Sequence, residues 1–270
     1  MYISVDMGGT KTRIALSQDL KTLQKVKRFY TNKNPSTQKQ IISSGIKDLL
    51  AGKELTFACY GVPGTMDRDT KTFITLPNYK DLNNKSFSSL IDEEFLDRSV
   101  VENDAVLGAV GEAFFGAGRE HNNIGYLTFG TGVGGAMVIK KDNGAFEYIA
   151  DEPGHTTIVE GGRVNSSCKH SGCLEAYTSG RSFEALFGIK PQYCSDEEIW
   201  KKYAEFVNKG FKVIHDKWQC EVFIYGGSMA LEYDIFGKYL QAPVPVLRSL
   251  TLDDAGVYGG LSLIKKHLDS

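Results

Sequence analysis

Two short glycine-rich segments have the composition of phosphate-binding loops. The first is residues 6–11, Asp-Met-Gly-Gly-Thr-Lys, and the second is residues 130–135, Gly-Thr-Gly-Val-Gly-Gly. Glycines let a backbone turn tightly and bring its N–H groups close to an anion, while an aspartate at a strand end can hold a hydrated Mg²⁺. A plain hairpin turn explains the first segment equally well. The second segment has four glycines in six residues, which is more than a turn needs. The second segment lacks the Gly-Lys-Ser/Thr ending of a P-loop and the following helix of a dinucleotide-binding fingerprint.

A carboxylate that could act as a general base lies in Glu102-Asn103-Asp104, between a predicted strand and a predicted helix. Asp104 can accept the proton of an attacking hydroxyl there, while the Asn103 amide binds a neighbouring hydroxyl. Asn and Asp are also the commonest helix N-caps, so the segment is equally typical of an ordinary helix start.

Two histidines and two cysteines lie close together in the middle of the chain. They are His155, Cys168, His170 and Cys173. Four nitrogen and sulfur ligands can close a tetrahedral zinc site, although a metal-free loop with chance thiols has the same composition.

The elements that must position these residues form two similar cycles. Strands are predicted at residues 2–5 and 13–16 around the first loop, and at 124–129 and 136–139 around the second. Two separated copies of one strand–loop–strand unit indicate a duplicated fold. Further strands are predicted at residues 55–60, 99–102 and 222–225, and helices at 36–50, 87–96, 103–115, 195–218 and 255–268.

The composition excludes several classes of protein. A net charge of −2 offers no polycation for nucleic acid or for an anionic membrane surface. Five cysteines, an odd number in 270 residues, do not form a disulfide framework and favour a reducing compartment, which predicts a cytoplasmic protein. We expect no signal peptide, no membrane span and no DNA-reading domain ahead of the first strand.

Six segments, taken in order along the chain, resemble those of the ROK family of sugar kinases and related transcriptional repressors. The resemblance covers nearly the whole chain and rests on residues 6–11, 61–64 (Gly-Val-Pro-Gly), 101–105 (Val-Glu-Asn-Asp-Ala), 128–135, 152–155 (Glu-Pro-Gly-His) and 172–175 (Gly-Cys-Leu-Glu). It implies an α/β, actin-like (ribonuclease H-like) two-lobe ATPase fold with a central cleft. It also implies the ATP-dependent, Mg²⁺-assisted phosphorylation of a hexose.

The resemblance implies a role for each matching residue. Asp104 would be the general base for the sugar 6-hydroxyl. The other sugar-binding residues would be Gly64, Asn78, Asn103, Glu152, His155 and Glu175. The nucleotide and its Mg²⁺ would be held by Asp6, Gly8, Gly9, Thr10, Lys11, Gly130, Thr131, Gly132, Gly226 and Gly227.

Two lobes are expected in such a fold. Residues 1–105 with 255–270 would carry the first phosphate loop, the sugar-side residues and the catalytic aspartate. Residues 106–254 would carry the second phosphate loop, the zinc segment and the adenosine site. Lobe closure would expel water and align the hydroxyl with the γ-phosphate. A homodimer is a further expectation from the family.

The sequence departs from the family at the zinc motif, which places Cys-x-Cys-Gly before the final Gly-Cys. An ungapped alignment puts Ser166 where the first cysteine belongs. A two-residue deletion instead pairs Cys168 and His170 with the usual Cys-x-Cys and gives the set of two histidines and two cysteines, which we favour.

Glucose is the first choice of substrate, because Glu152, His155 and Glu175 suit adjacent hydroxyls at the anomeric end of a hexose. N-acetylmannosamine or another N-acetylhexosamine comes second and fructose third. A sugar-binding regulator without catalysis and an actin- or chaperone-like ATPase are the rival classes. The intact Asn103-Asp104 pair favours a kinase over the regulator, and residues 152–155 and 172–175 would be unexplained in the ATPase.

Overall fold

The structure, a computed structural model, describes residues 1–165 and 169–269. The chain divides into two units, one made of Met1–Phe114 with Asp254–Ser270 and the other of Phe115–Asp253. Across the described ranges, no helix combines the length and the apolar character that crossing a bilayer requires.

The first unit is built on a five-stranded sheet. Its elements are β1 (Tyr2–Met7), β2 (Lys11–Ser17), β3 (Lys25–Tyr30), α1 (Pro35–Leu50), β4 (Phe57–Val62), β5 (Thr65–Asp67), β6 (Thr72–Thr75), α2 (Glu93–Leu96), β7 (Ser99–Asn103) and α3 (Asp104–Phe115). The strand order is β3-β2-β1-β4-β7, with β1, β2 and β3 antiparallel and with β4 and β7 parallel to β1. Strands β5 and β6 form a separate hairpin.

The second unit repeats this topology. Its elements are β8 (Asn123–Phe129), β9 (Val133–Lys140), β10 (Phe146–Ala150), α4 (Glu175–Thr178), α5 (Gly180–Phe187), α6 (Glu197–Trp218), β11 (Val222–Gly226), α7 (Tyr233–Phe236) and β12 (Val246–Arg248). The strand order is β10-β9-β8-β11-β12. As in the first unit, the first three strands of the unit are antiparallel neighbours, and two further strands, β11 and β12, run parallel to β8. The predicted duplication is therefore confirmed at the level of topology.

Each unit has its own apolar core. In the first, the central strands β1 and β4 are buried along almost their whole length, as expected for strands covered on both faces. The final helix, α8 (Ala255–Leu268), packs on these two strands, and His267 near its end stacks on Phe57 with ring centroids 4.7 Å apart. In the second, α6 buries an aromatic stripe that includes Trp200, Tyr203 and Phe211.

Two helix starts differ from the sequence prediction. The cap of α1 is Asn34, whose side chain accepts a hydrogen bond from the Thr37 N–H at 3.0 Å, and not Ser36. Pro35 directly follows it, in the first helical position, where its missing N–H costs nothing. The cap of α6 is Asp196, which accepts from the Glu198 and Ile199 N–H groups, so the expected capping box at Ser195 is wrong.

The helix predicted at residues 87–96 is interrupted. A short 3₁₀ turn covers Phe87–Ser89, and α2 begins only at Glu93 after the extended Asp92. Leu90 and Ile91 between them are fully buried. Both side chains are apolar, as in a buried helix face, but the backbone between the two short elements is not helical.

Candidate functional site

Three of the predicted segments in the first unit meet at one edge of its sheet. Strands β1, β4 and β7 are neighbouring parallel strands, with Asp6 opposite Gly61 and Val62 opposite Asn103. The carboxyl ends of parallel strands are the usual ligand-binding edge of an α/β sheet. The first phosphate loop, the Gly-Val-Pro-Gly turn and the Asn103-Asp104 pair therefore lie side by side.

The first phosphate loop is a tight turn held from its inner side. The Gly8 N–H donates to the Lys11 carbonyl at 3.0 Å. Thr31 uses its hydroxyl to donate to the Gly8 carbonyl at 2.8 Å and its N–H to donate to the Thr10 carbonyl at 2.9 Å. Gly9, Thr10 and Lys11 are exposed at the tip of the turn, which suits contact with a phosphate.

Asn78 lies against this loop. Its Nδ2 is 3.6 Å from the position that a Cβ on Gly9 would occupy. Asn78, which the family resemblance assigns to the sugar, thus neighbours Gly9, which it assigns to the nucleotide, and both belong to the first unit.

Asp6 is buried beside an arginine. Arg13 Nη1 lies 3.3 Å from Asp6 Oδ2, and both side chains are about one-tenth exposed. The guanidinium balances much of the carboxylate charge. Asp6 is therefore better suited to accept a hydrogen bond from a water bound to Mg²⁺ than to contact the metal directly. Mg²⁺ usually keeps several of its waters in proteins, so the residues present fit such a role.

Asn103 caps α3 with its amide oxygen and contacts the Gly-Val-Pro-Gly turn with its amide nitrogen. Its Oδ1 accepts from the Ala105 N–H at 2.9 Å and the Val106 N–H at 3.3 Å, which is an N-cap of α3. Its Nδ2 donates to the Gly64 carbonyl at 3.0 Å. Gly64 has φ of +113°, and a Cβ there would lie 2.1 Å from the Thr75 carbonyl oxygen, so the turn requires glycine.

Asp104 is the first residue of α3 and is half-buried. Its Oδ1 accepts from the Ala105 N–H at 3.0 Å. A carboxylate at a helix N-terminus is stabilised by the helix dipole, and its second oxygen has the chemistry of a proton acceptor.

Directly before this pair, Glu102 forms an ion pair that sequence reasoning missed. Its side chain is fully buried, and Arg68, in the loop between β5 and β6, donates to both carboxylate oxygens, with Nε at 3.1 Å. Glu102 Oε1 also accepts from the Asn103 N–H at 2.8 Å. The hairpin that links Gly64 to Asn78 is thereby joined to β7, the strand that directly precedes Asp104.

In the second unit, the second phosphate loop and Gly226-Gly227 lie at one sheet edge. Strands β8 and β11 are parallel neighbours, with Thr128 opposite Gly226. The Gly130 carbonyl accepts from the N–H of Gly180, the first residue of α5, at 2.8 Å. The segments assigned to the phosphates and to the adenosine therefore share one edge.

The Glu152–His155 segment packs on the strand that follows the second loop. A Cβ on Gly154 would lie 2.1 Å from the Val133 carbonyl oxygen, so only glycine allows this approach. Burial raises the pKa of the Glu152 carboxyl above its usual range. Nearby Glu175 adds to that rise, whereas His155 lowers the pKa.

Glu175 reaches back to the same loop. Its Oε2 accepts from the Val133 N–H at 2.9 Å, and its Oε1 accepts from Asn165 Nδ2 at 2.8 Å. Sequence reasoning missed Asn165, because an asparagine in a polar loop carries no signal until its partner is known.

Part of the predicted zinc set is close together. The His155 and His170 rings meet edge to face, with centroids 4.8 Å apart, and His155 Nδ1 is buried with no hydrogen-bond partner within the described ranges. Cys173 is fully buried, and Cys168 lies outside the described residues. Within residues 1–165 and 169–269 no three His, Cys, Asp or Glu side chains converge closely enough to hold a metal ion.

Comparison with known proteins shows the family. The sequence profile of the ROK family matches residues 2–267. A glucokinase of Thermotoga maritima is 28% identical, over 98% of each chain. The xylose repressor of Bacillus spizizenii is 35% identical over 51% of this chain and 35% of the repressor.

The fold agrees with this relationship. A ROK family glucokinase from Streptomyces griseus, solved with glucose and AMPPNP, superposes with a TM-score of 0.80 at 23% identity, over 98% of this chain and 99% of that one. The predicted actin-like two-lobe fold is confirmed. With its profile match over nearly every residue and the same fold as a solved member, this chain belongs to the ROK family.

Proposed function

We propose that this protein is an ATP-dependent hexose kinase, with glucose as its first-choice substrate. The observation that carries the proposal is the grouping of Asp104, Asn103 and the first phosphate loop at one sheet edge of the first unit. The second unit carries a matching edge, with its own phosphate loop beside Gly226-Gly227. The proposed general base belongs to the first unit and the segment assigned to the adenosine belongs to the second.

Asp104 would act as the general base. As the sugar 6-oxygen forms its bond to the γ-phosphorus of ATP, the 6-hydroxyl proton passes to an Asp104 oxygen and the bond from the γ-phosphorus to the bridging oxygen breaks, releasing ADP. Asn103 would bind an adjacent sugar hydroxyl. Mg²⁺, when bound near Asp6, supplies charge neutralisation for the phosphates, and the loop amides orient them.

The substrate is tested by a coupled assay of ADP release across hexoses. We expect the highest kcat/KM with glucose, lower values with N-acetylmannosamine and fructose, and no sugar phosphorylation with xylose, which has no 6-hydroxyl. A kcat/KM for N-acetylmannosamine above that for glucose would reverse the choice of substrate.

The same panel separates the rival classes. Binding of a sugar without turnover of any hexose would indicate a regulator and would refute the kinase. ADP release that no sugar stimulates would indicate an ATPase.

We further propose that His155, Cys168, His170 and Cys173 hold one structural zinc ion. The adjacent histidine rings and the unpartnered, buried Nδ1 of His155 support it, because a buried imidazole nitrogen without a hydrogen bond is costly and a metal ion is one partner that would satisfy it. A homodimer and a cytoplasmic location stay predictions.

The zinc prediction is tested by metal analysis of protein washed with a chelator and then supplied with zinc. We expect one zinc per chain in the wild type and markedly less in His170→Ala. His215→Ala, a histidine of α6 outside the set, is the control and should keep its zinc. Wild-type protein without zinc, or His170→Ala with full zinc, would contradict the assignment.

A further inference from the structure

The Glu175 carboxylate is held on two sides within the second unit. It lies at the start of α4, and the residue is only 9% exposed. One oxygen accepts from a backbone N–H of β9 and the other from a side-chain amide, at 2.9 and 2.8 Å. A carboxylate has about four acceptor positions, and a donor on each oxygen fixes the plane of the group.

The backbone donor belongs to the end of the second phosphate loop. Val133 is the first residue of β9 and directly follows Gly132. A Cβ on Gly132 would lie 2.7 Å from Glu175 Oε2, so the carboxylate packs closely against the loop backbone. Any rotation of the Glu175 side chain therefore removes the partner of the Val133 N–H.

The side-chain donor is Asn165, which is only 5% exposed. Its N–H donates to the His170 carbonyl at 2.8 Å and its carbonyl accepts from the Lys169 N–H at 2.9 Å, so its backbone is fixed. Its Nδ2 donates to Glu175 Oε1 and also lies 3.4 Å from Cys173 Sγ. The contact with the carboxylate needs the amide nitrogen and not the amide oxygen, which fixes the orientation of the amide.

We propose that Asn165 is a positioning residue that aims the Glu175 carboxylate, and that Glu175 in turn holds the end of the second phosphate loop through the Val133 N–H. The proposal rests on the proposed function and on the role that the family resemblance implies for Glu175, which is to bind a sugar hydroxyl. One carboxylate then serves both substrates, as a ligand of the sugar hydroxyl and as the acceptor for the Val133 N–H of the nucleotide loop.

Loss of the Asn165 amide should weaken sugar binding through Glu175. Asn165→Leu has a similar volume and removes the amide hydrogen bond to Glu175 Oε1. Asn165→Asp keeps the shape and places a second carboxylate beside the first. Since a hydrogen bond to a charged group is removed, we expect the sugar dissociation constant to rise about 10- to 100-fold in both variants.

Sugar binding is measured by titration calorimetry with glucose alone. Ser171→Ala is the matched control, because it removes one hydrogen bond of the same loop, to the Gly162 carbonyl, without touching Glu175. Its dissociation constant should stay within about twofold of wild type. The zinc content of each variant is measured in parallel, and weaker sugar binding that tracks loss of zinc would overturn the proposal.

A double-mutant cycle separates positioning from general packing. In a Glu175→Ala background, Asn165→Leu should change sugar affinity by less than about twofold, because its effect passes through the missing carboxylate. Equal effects of Asn165→Leu in both backgrounds would refute the positioning role.

The contact with the phosphate loop is tested without sugar, nucleotide or turnover. In protein labelled with ¹⁵N-valine, the Val133 amide resonance, identified by its loss in Val133→Ile, should move in Asn165→Leu and Asn165→Asp and not in Ser171→Ala. An unmoved Val133 resonance in both variants would overturn the inference. This readout remains valid even if no hexose is phosphorylated, so failure of the kinase proposal and failure of this one are distinguishable.

Discussion

Replacing Asp104 by asparagine should lower kcat with glucose by roughly 10²- to 10⁴-fold, the usual contribution of a general base. Asparagine has nearly the same shape, and its Oδ1 can still accept from the Ala105 N–H, as Asp104 does at 3.0 Å. It cannot take up the hydroxyl proton. The loss should therefore fall on kcat, whereas glucose affinity by calorimetry should change by less than about fivefold.

The control for this variant is Asp196→Asn. Asp196 is also an aspartate at a helix start, where it caps α6 by accepting from the Glu198 N–H at 2.9 Å. Asparagine caps helices as well as aspartate does, so both stability and turnover should persist. An Asp104→Asn protein with more than a tenth of wild-type kcat would rule out Asp104 as the base.

Replacing Arg68 by methionine should lower the free energy of unfolding by about 3 kcal/mol. Glu102 is fully buried, and its partner Arg68 is about half exposed at 49%. The variant removes the guanidinium that faces this buried carboxylate, and a buried charge that loses its ion-pair partner is the costly outcome of breaking such a pair. The exposure of the arginine places the effect at the lower end of the range for buried pairs.

Two further variants make this measurement specific. Arg98→Met removes the partner of Glu54, which is 83% exposed, and should cost less than about 1 kcal/mol. The double variant Arg68→Met/Glu102→Gln has no buried charge at position 102, so it should be more stable than Arg68→Met alone. Urea unfolding followed by circular dichroism measures all of them. Equal losses in Arg68→Met and Arg98→Met would show that burial of Glu102 does not decide the cost.

Local signals in the sequence were sufficient for elements whose pattern is complete within a few residues. The last helix occupies residues 255–268 as predicted, and α3 begins at Asp104 and ends at Phe115. The edge strands β3 and β10 were missed. β3 carries Lys25, Lys27 and Arg28, charges that suit an exposed sheet edge but hide the apolar alternation by which a strand is recognised.

Tertiary structure also decided what Asn103 does. The sequence allowed a helix cap or a ligand for a hydroxyl, and local spacing cannot separate them. In the fold the oxygen caps α3 while the nitrogen donates to the Gly64 carbonyl, 39 residues earlier. The two ends of one amide therefore have different tasks, and the second depends on the pairing of β4 with β7.

The sequence by itself was sufficient to identify the glycine loops and the Asn103-Asp104 pair, because each is a short run of consecutive residues. Those runs in turn indicated the family and hence the actin-like fold. Only the tertiary structure decided which groups hold these residues in place. Arg68 and Glu102 are 34 residues apart, and Val133 and Glu175 are 42 apart. Such contacts arise where strand register and loop packing bring distant segments within hydrogen-bonding distance, and no short stretch of sequence encodes that register.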